Sequence, residues 1–216
     1  IKANIGILDR TNQRNFLKDS FSFQSQILIE KRGSSSQQLF PQASYSIKFI
    51  DSLGEERNAS VLGMPEEHDW ILYAPYNDKT CMRNVLSYYL SQNMGMYASR
   101  TRYCEVMLNN EYQGLYVWME KIKRDSNRVD ISKMTSSDTS GEDLTGGYII
   151  KLDKINGAGG DGFTSRYPTS LGNNLFYQYE YPRDENILQV QKNYIKNYLD
   201  SFETALKKIP FNDLKK

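Results

Sequence analysis

Apolar and polar positions alternate over residues 21–31 (FSFQSQILIEK) and again over 43–50 (ASYSIKFI), the two-residue period of strands with one buried face. Between them Arg32-Gly33-Ser34-Ser35-Ser36-Gln37-Gln38 is polar and rich in small residues, which predicts a loop. Asp51 to Gly54 predicts a turn, with a third short strand near Ser60 to Leu62. Asp69-Trp70-Ile71-Leu72-Tyr73-Ala74-Pro75 is an apolar run that ends in a proline loop. The period then changes. Met82, Val85, Leu86, Tyr89 and Leu90 fall at i, i+3, i+4, i+7 and i+8, predicting one apolar helix stripe. Asp78 or Thr80 can cap its start, and Gly95 ends it.

Residues 102–108 and 112–119 flank Asn109-Asn110-Glu111, a hairpin signal because Asn tolerates the positive φ of a tight primed turn. Residues 123–146 read as a basic turn followed by an exposed, mobile loop. Residues 147–153 predict a buried strand, 156–174 a glycine-rich loop and 175–181 an aromatic strand. A final helix is expected over 184–208, with Ile187, Val190, Tyr194, Tyr198, Phe202 and Leu206 on one face and Pro210 closing it. Strands, one helix, a hairpin, more strands and a last helix make an α+β pattern: a mainly antiparallel sheet with segregated helices. No internal repeat is visible, and the chain reads as a single domain over 1–216.

Charge narrows the choice of partners. With 27 basic and 26 acidic residues, the net charge of +1 provides no global field toward nucleic acid or an anionic membrane. Any anion site must be local. The 16 tyrosines suit half-buried strands first, and interfaces or sugar-facing surfaces second. Cys81 and Cys104 lie in no CxxC spacing and are expected to be free, buried thiols. His68 is the only histidine, so a zinc site would be short of ligands. No apolar run reaches the length of a membrane span and no signal peptide is present. The start at Ile1 and the end at Lys216 both read as cut, so the missing signal peptide does not point to the cytoplasm.

Three loops could hold a phosphate. Arg32 with Gly33-Ser34-Ser35-Ser36 combines backbone donors with a forked cation, although on spacing alone it is an ordinary hairpin loop. Residues 157–162 (GAGGDG) have no lysine in Walker position and read as a flexible loop. Asn77-Asp78-Lys79-Thr80 sits at a helix start, where capping by Asp78 competes with anion binding. Glu66-Glu67-His68-Asp69 could ligate a metal, but after Pro65 it reads as a solvated turn. Glu120 and Lys121 close a strand, either as a solvated end or at a ligand cleft. No HExxH, GxSxG or calcium-loop pattern occurs, and Asp161-Gly162-Phe163 is not in the kinase DFG order. No complete catalytic centre can be found, and no residue is assigned as catalytic or as a metal ligand.

These pieces in this order resemble one family. Gly33-Ser34-Ser35-Ser36, Phe40-Pro41 and Ser44-Tyr45-Ser46-Ile47-Lys48 are similar to its RGNSS…FPKKSYxIK stretch. Leu62-Gly63-Met64-Pro65 and the run from Asp69 to Lys79 are similar to its LGMP…DWVLYAPYxDKS. Met82-Arg83-Asn84, Tyr112-Gln113-Gly114-Leu115-Tyr116, Glu120-Lys121-Ile122-Lys123 and the run from Gly146 to Asp153 continue the likeness across essentially the whole chain. The family is CotH, named for spore-coat protein H, whose members resemble secreted kinases of atypical kinase-like fold. The resemblance implies ATP with magnesium or manganese, and phosphoryl transfer to Ser or Thr of an extracellular or coat protein. It implies an extracellular or cell-envelope location. Arg32 and Ser35 become phosphate-side candidates, Arg83 a cleft residue, Glu120 part of a hinge near the base, and Lys48 a substitute for a missing lysine.

Two departures qualify the resemblance. The family's paired lysines before Ser-Tyr are Gln42 and Ala43 here, and strand alternation puts Lys48 on the face opposite Ala43. The family's catalytic and metal-binding aspartates lie beyond the helix matching 191–209, so neither Asp153 nor Asp161 takes either role. An active parent kinase, a pseudokinase and a surface module for proteins or glycans are the alternatives that remain.

Overall fold

The structure is a computed structural model, and it describes residues 1–10, 12–153, 161–183 and 185–208. The chain divides into two compact units, residues 1–122 and 123–216.

The first unit is a six-stranded antiparallel sheet in the order β1-β2-β3-β4-β6-β5. Its strands are β1 Lys2–Ile7, β2 Phe23–Arg32, β3 Ser44–Ile50, β4 Asp69–Tyr73, β5 Thr101–Leu108 and β6 Glu111–Glu120. A short helix, α1 (Ser35–Leu39), joins β2 to β3, and α2 (Arg83–Asn93) joins β4 to β5. Alternation sorts the strands onto two faces. One face carries Ile27, Tyr45, Ile47, Phe49, Trp70, Leu72, Tyr116 and Trp118, and Ala59, Val61 and Met64 complete this core. Phe49 stacks on Trp118 with ring centroids 6.0 Å apart, and Trp70 tilts against Trp118 at 5.6 Å. Each such pair contributes about 0.5–1.5 kcal/mol beyond burial. The expected strand near Ser60 to Leu62 is absent. That stretch is irregular, held by an isolated bridge between Ala59 and Glu67, and it covers the core with side chains instead of adding a strand.

The opposite face has a smaller apolar patch, Ile71, Val117 and Met119, on which α2 rests through Val85 and Tyr88. The expected stripe is therefore mostly outward: Met82, Leu86, Tyr89 and Leu90 are about half exposed. Apolar residues lie on more than one side of α2, and a three-residue patch engages only the pair spaced i, i+3. The hairpin agrees with its signal. Leu108 pairs with Glu111, so Asn109 and Asn110 form the two-residue turn, with φ of 51° and 66°. A bulge follows at Gly114, whose φ of 92° lies in the left-handed region that favours glycine.

The second unit is a three-stranded antiparallel sheet, order β7-β9-β8, with β7 Ile149–Leu152, β8 Gly162–Pro168 and β9 Asn174–Tyr181. Two helices accompany it, α3 (Gly141–Thr145) and α4 (Gln189–Lys208). Strand β8 occupies part of the stretch expected to be loop, α4 begins at Gln189, and residues 156–160, 184 and 210 of the sequence reading lie outside the described residues. Glu203 of α4 accepts from the Tyr177 hydroxyl (2.7 Å) and the Arg166 N–H (2.8 Å). The expected face of this helix is realised in part. Ile187, just before the helix, is buried and Tyr194 stacks on Tyr148, but Gln191 and Ile195 are buried instead of Val190, Tyr198, Phe202 and Leu206, which are exposed. Gln191 is 1% exposed and donates to the carbonyls of Thr135 (2.9 Å) and Asp138 (3.1 Å). The stretch expected to be a mobile loop is thus tied to a helix and buries Met134 and Arg128. Both sheets are antiparallel and each is accompanied by helices, as the α+β reading expects.

Candidate functional site

The loops after β2 and after β4 emerge at the same end of the first sheet, because Ser44 and Ala74 meet there: the Ala74 N–H donates to Ser44 Oγ at 2.9 Å. Arg32 ends β2 opposite Ser44. Gly33 follows with φ 101°, and a Cβ there would meet Ser36 Oγ at 2.2 Å. A side chain at position 33 would therefore be both strained and crowded. Ser35 is the first residue of α1, so the serine run is a turn of helix rather than an open loop.

Asp78 organises the second loop. Its carboxylate accepts from the Thr80 hydroxyl (2.7 Å), the Thr80 N–H (3.0 Å) and the N–H of Arg83, the first residue of α2 (2.8 Å). The Thr80 hydroxyl, followed by the Arg83 N–H, holds its carboxyl below the usual range. The capping reading of Asp78 is the one realised. Arg83 Nε lies 3.5 Å from Asp78 Oδ1, and its side chain is 76% exposed.

Between the two loops and the β5–β6 hairpin lies an open groove of about 480 Å³, lined by Pro41, Gln42, Tyr76, Asp78, Lys79, Cys81 and the 112–115 edge. Gln42 Nε2 donates to the carbonyls of Gln113 (3.1 Å) and Leu115 (3.0 Å), and the Tyr116 hydroxyl donates to the Ala43 carbonyl (3.0 Å). Gln42 thus fastens its loop to β6 across the bulge.

The other two candidates lie at the far end of the strands. Lys48 is four positions beyond Ser44 on β3, about 13 Å at ~3.3 Å per residue. It contacts Glu56 and stands 3.9 Å from Asp69 Oδ1. The Lys48 ammonium, acting chiefly through that hydrogen bond, lowers the Glu56 carboxyl below its usual range. Glu120 opposes Trp70 on the aromatic face of the sheet, so it faces away from Lys48. It is 1% exposed and accepts from Arg100 Nε (2.9 Å), Arg100 Nη2 (2.8 Å) and the Arg100 N–H (3.0 Å). The structure therefore brings Arg32, Ser35 and Arg83 to one end and places Lys48 and Glu120 at the other, on opposite faces. Sequence reasoning missed Arg100, which no local pattern links to a glutamate 20 residues later.

The stretch expected to be a solvated turn is not solvated. Glu67 and Asp69 are buried, and with His68 they offer ligand atoms within 4.8 Å of one another. The two cysteines are free and half-buried. Burial pushes the Cys104 thiol up to about 11.

A family model described as CotH kinase protein matches residues 29–216. The chain belongs to the CotH kinase family. No curated protein matches it. In this CotH family member the match begins inside β2 and takes in both loops of the candidate site, while β1 precedes it. Among the described residues, no helix is long and apolar enough to cross a membrane.

Proposed function

We propose that this CotH family member forms the nucleotide side of an ATP-dependent protein kinase of the extracellular space or cell envelope, acting on Ser or Thr of coat-type proteins. The observation that carries the reading is the cationic end of the first sheet, within the family match. Arg32 closes β2, Lys79 lines the groove, and Arg83 opens α2. Protein kinases cover the ATP phosphates with a glycine-containing loop between two strands, and follow a later strand with a helix that borders the site. Here Gly33 and α1 occupy the first place and β4–α2 the second.

The residues fit the phosphate half of such a ligand. They fit the divalent ion less well. Asp78, the buried carboxylate of this end among the described residues, is spent on hydroxyl and N–H donors. No residue here is therefore assigned to the metal, and the proposed roles of Arg32, Ser35 and Arg83 are to bind and orient phosphate. When bound, the metal would neutralise charge on the phosphates. Lys48 and Glu120, at the far end, are assigned to holding the sheet rather than to the phosphates.

ATP titration with magnesium or manganese, followed by thermal unfolding, tests the reading. Saturable stabilisation of about 2.7 kcal/mol is expected at a hundredfold excess over Kd. A charge-assisted contact contributes about 1.5–3 kcal/mol, so Arg32→Ala and Arg83→Ala should each weaken binding about tenfold once exposure is discounted. Absence of saturable binding would overturn the proposal. Labelled ATP offered to the full-length protein and a coat-type substrate tests transfer.

A second reading, a pseudokinase, is favoured by a specific departure. Kinases pair a strand lysine with a glutamate on the following helix. Here β4, DWILY, carries no lysine and α2, RNVLSYYLSQN, carries no acidic residue, and the two meet through apolar side chains. Gln42 and Ala43 stand where the family stretch has lysines. Nucleotide-dependent stabilisation without any transfer would decide for this reading.

A further inference from the structure

In steps of four residues, α4 sorts into rows of different character. Gln191, Ile195 and Leu199 face the protein, the first two buried and the third half-buried. Lys192, Lys196 and Asp200 form a half-buried row whose charges are engaged: Lys192 pairs with Asp161, and Lys196 with Asp200 at 2.7 Å. Glu203 accepts from Tyr177 and Arg166. The other two rows face outward. Val190, Tyr194, Tyr198, Phe202 and Leu206 make an apolar ridge along about 24 Å of helix, at ~1.5 Å per residue. Tyr198, Phe202 and Leu206 are 59%, 52% and 51% exposed. Beside the ridge, Asn193, Asn197, Ser201 and Ala205 make an exposed groove of short side chains. From Gln189 to Leu206, therefore, no exposed side chain of this helix is charged. Charge depletion together with exposed aromatic residues marks the core of an interface rather than a solvated face. The ridge is also held in place beforehand. Tyr194 stacks on Tyr148 at 5.9 Å and on Tyr198 at 6.5 Å, so Tyr198 has little rotamer freedom left to lose on contact.

We propose that this face of α4 pairs with the same face of a second copy of the chain. The charge pattern selects that partner. A charged partner would lose its solvation with no opposite charge to meet along the face. A second α4 brings no charge to it. Ridges of residues spaced by four pack into the grooves of a second helix at a crossing of about −50°. Each copy offers both parts, the large ridge over 190–206 and, next to it, the groove of short side chains over 193–205. A two-fold axis seats each ridge in the other copy's groove, the isologous arrangement commonest among homodimers. A single helix pair falls below the ~1,200 Å² of standard interfaces, so the association is weak and depends on concentration. It uses no residue of the nucleotide reading and stands apart from it.

The test is sedimentation equilibrium of the chain over a wide range of concentration, with far-UV circular dichroism to confirm that each variant folds. A monomer–dimer equilibrium is expected. Phe202→Asp sets a carboxylate on the ridge, and Ser201→Arg fills the groove. Both side chains are exposed, so folding is retained, and each change should weaken association by about tenfold or more. Leu53→Asp, at an 86% exposed leucine of the first unit, should leave association unchanged and so separates a defined interface from general apolar adhesion. A chain that stays monomeric at every concentration, or association that both α4 variants leave unchanged, would overturn the proposal and assign the face to a different partner.

Discussion

Removing the Arg100 guanidinium should destabilise the first unit more than any other single surface-reaching change in it. Arg100→Ala deletes two of the three donors that Arg100 gives the Glu120 carboxylate and leaves that carboxylate in a place only 1% exposed. Breaking a buried ion pair from one side costs about 3–5 kcal/mol. The Arg100 side chain is 37% exposed, so water can reach part of the vacated space. The expected cost is therefore about 2–3 kcal/mol, below the fully buried range. At ~2–4 °C per kcal/mol for a chain of this size, the midpoint should fall by about 4–12 °C. Glu120→Gln keeps an acceptor but sets an amide N–H₂ against the guanidinium, for about 1–2 kcal/mol. Urea unfolding followed by tryptophan fluorescence is the assay, because the chain's two tryptophans, Trp70 and Trp118, both lie in the core of this unit. Arg102→Ala, exposed on the neighbouring strand, is the control and should stay within about 0.5 kcal/mol. If Arg100→Ala unfolds at the same urea concentration as Arg102→Ala, the ion pair contributes nothing and the reasoning fails.

Three further outcomes follow from the geometry. At pH 8 a maleimide should label the folded chain once, at Cys81; Cys104 should react only after unfolding, and two rapid adducts by intact mass would contradict its burial. Because the folded Cys104 thiol is raised, its contribution to stability is full below the ordinary thiol range and is lost as pH rises through about 11, visible as a falling urea midpoint. Gly114→Ala places a Cβ at φ 92° in the bulge and should cost about 1–2 kcal/mol in the same unfolding assay. Gln191→Leu removes the donor shared by the Thr135 and Asp138 carbonyls; about 1–3 kcal/mol is expected, with new proteolytic cleavage near 135–140 as the readout.

The parts of the fold legible in the sequence were those written in local periods. β2, β3 and the β5–β6 hairpin follow from alternation and from Asn109-Asn110, which needs no distant partner to form its turn. The helix faces were not legible, because α2 and α4 carry apolar residues on more than one side and only the sheet decides which side is covered. The buried Gln191 could not be foreseen either, since a polar residue on a helix reads as solvent-facing until a loop supplies two carbonyls. At the candidate site, Asp78 was readable as a cap from its spacing to the helix. Glu120 was visible but its direction was not: the face it takes is set by its register with Trp70, a residue 50 positions earlier. Lys48, Glu56 and His68 come together through a turn and an irregular stretch that no periodicity encodes.

The seat of α2 on Ile71, Val117 and Met119 also determines what can loosen it. A helix pinned by a lysine–glutamate pair responds to ionic strength, because salt screens exposed charges. A helix seated by Val85 and Tyr88 does not have that lever. Its attachment is entropic near room temperature and weakens on cooling rather than on addition of salt. The apolar seat of α2 should therefore hold across salt concentrations that would release a charge-latched helix, while the exposed Arg83–Asp78 contact at its start stays open to screening.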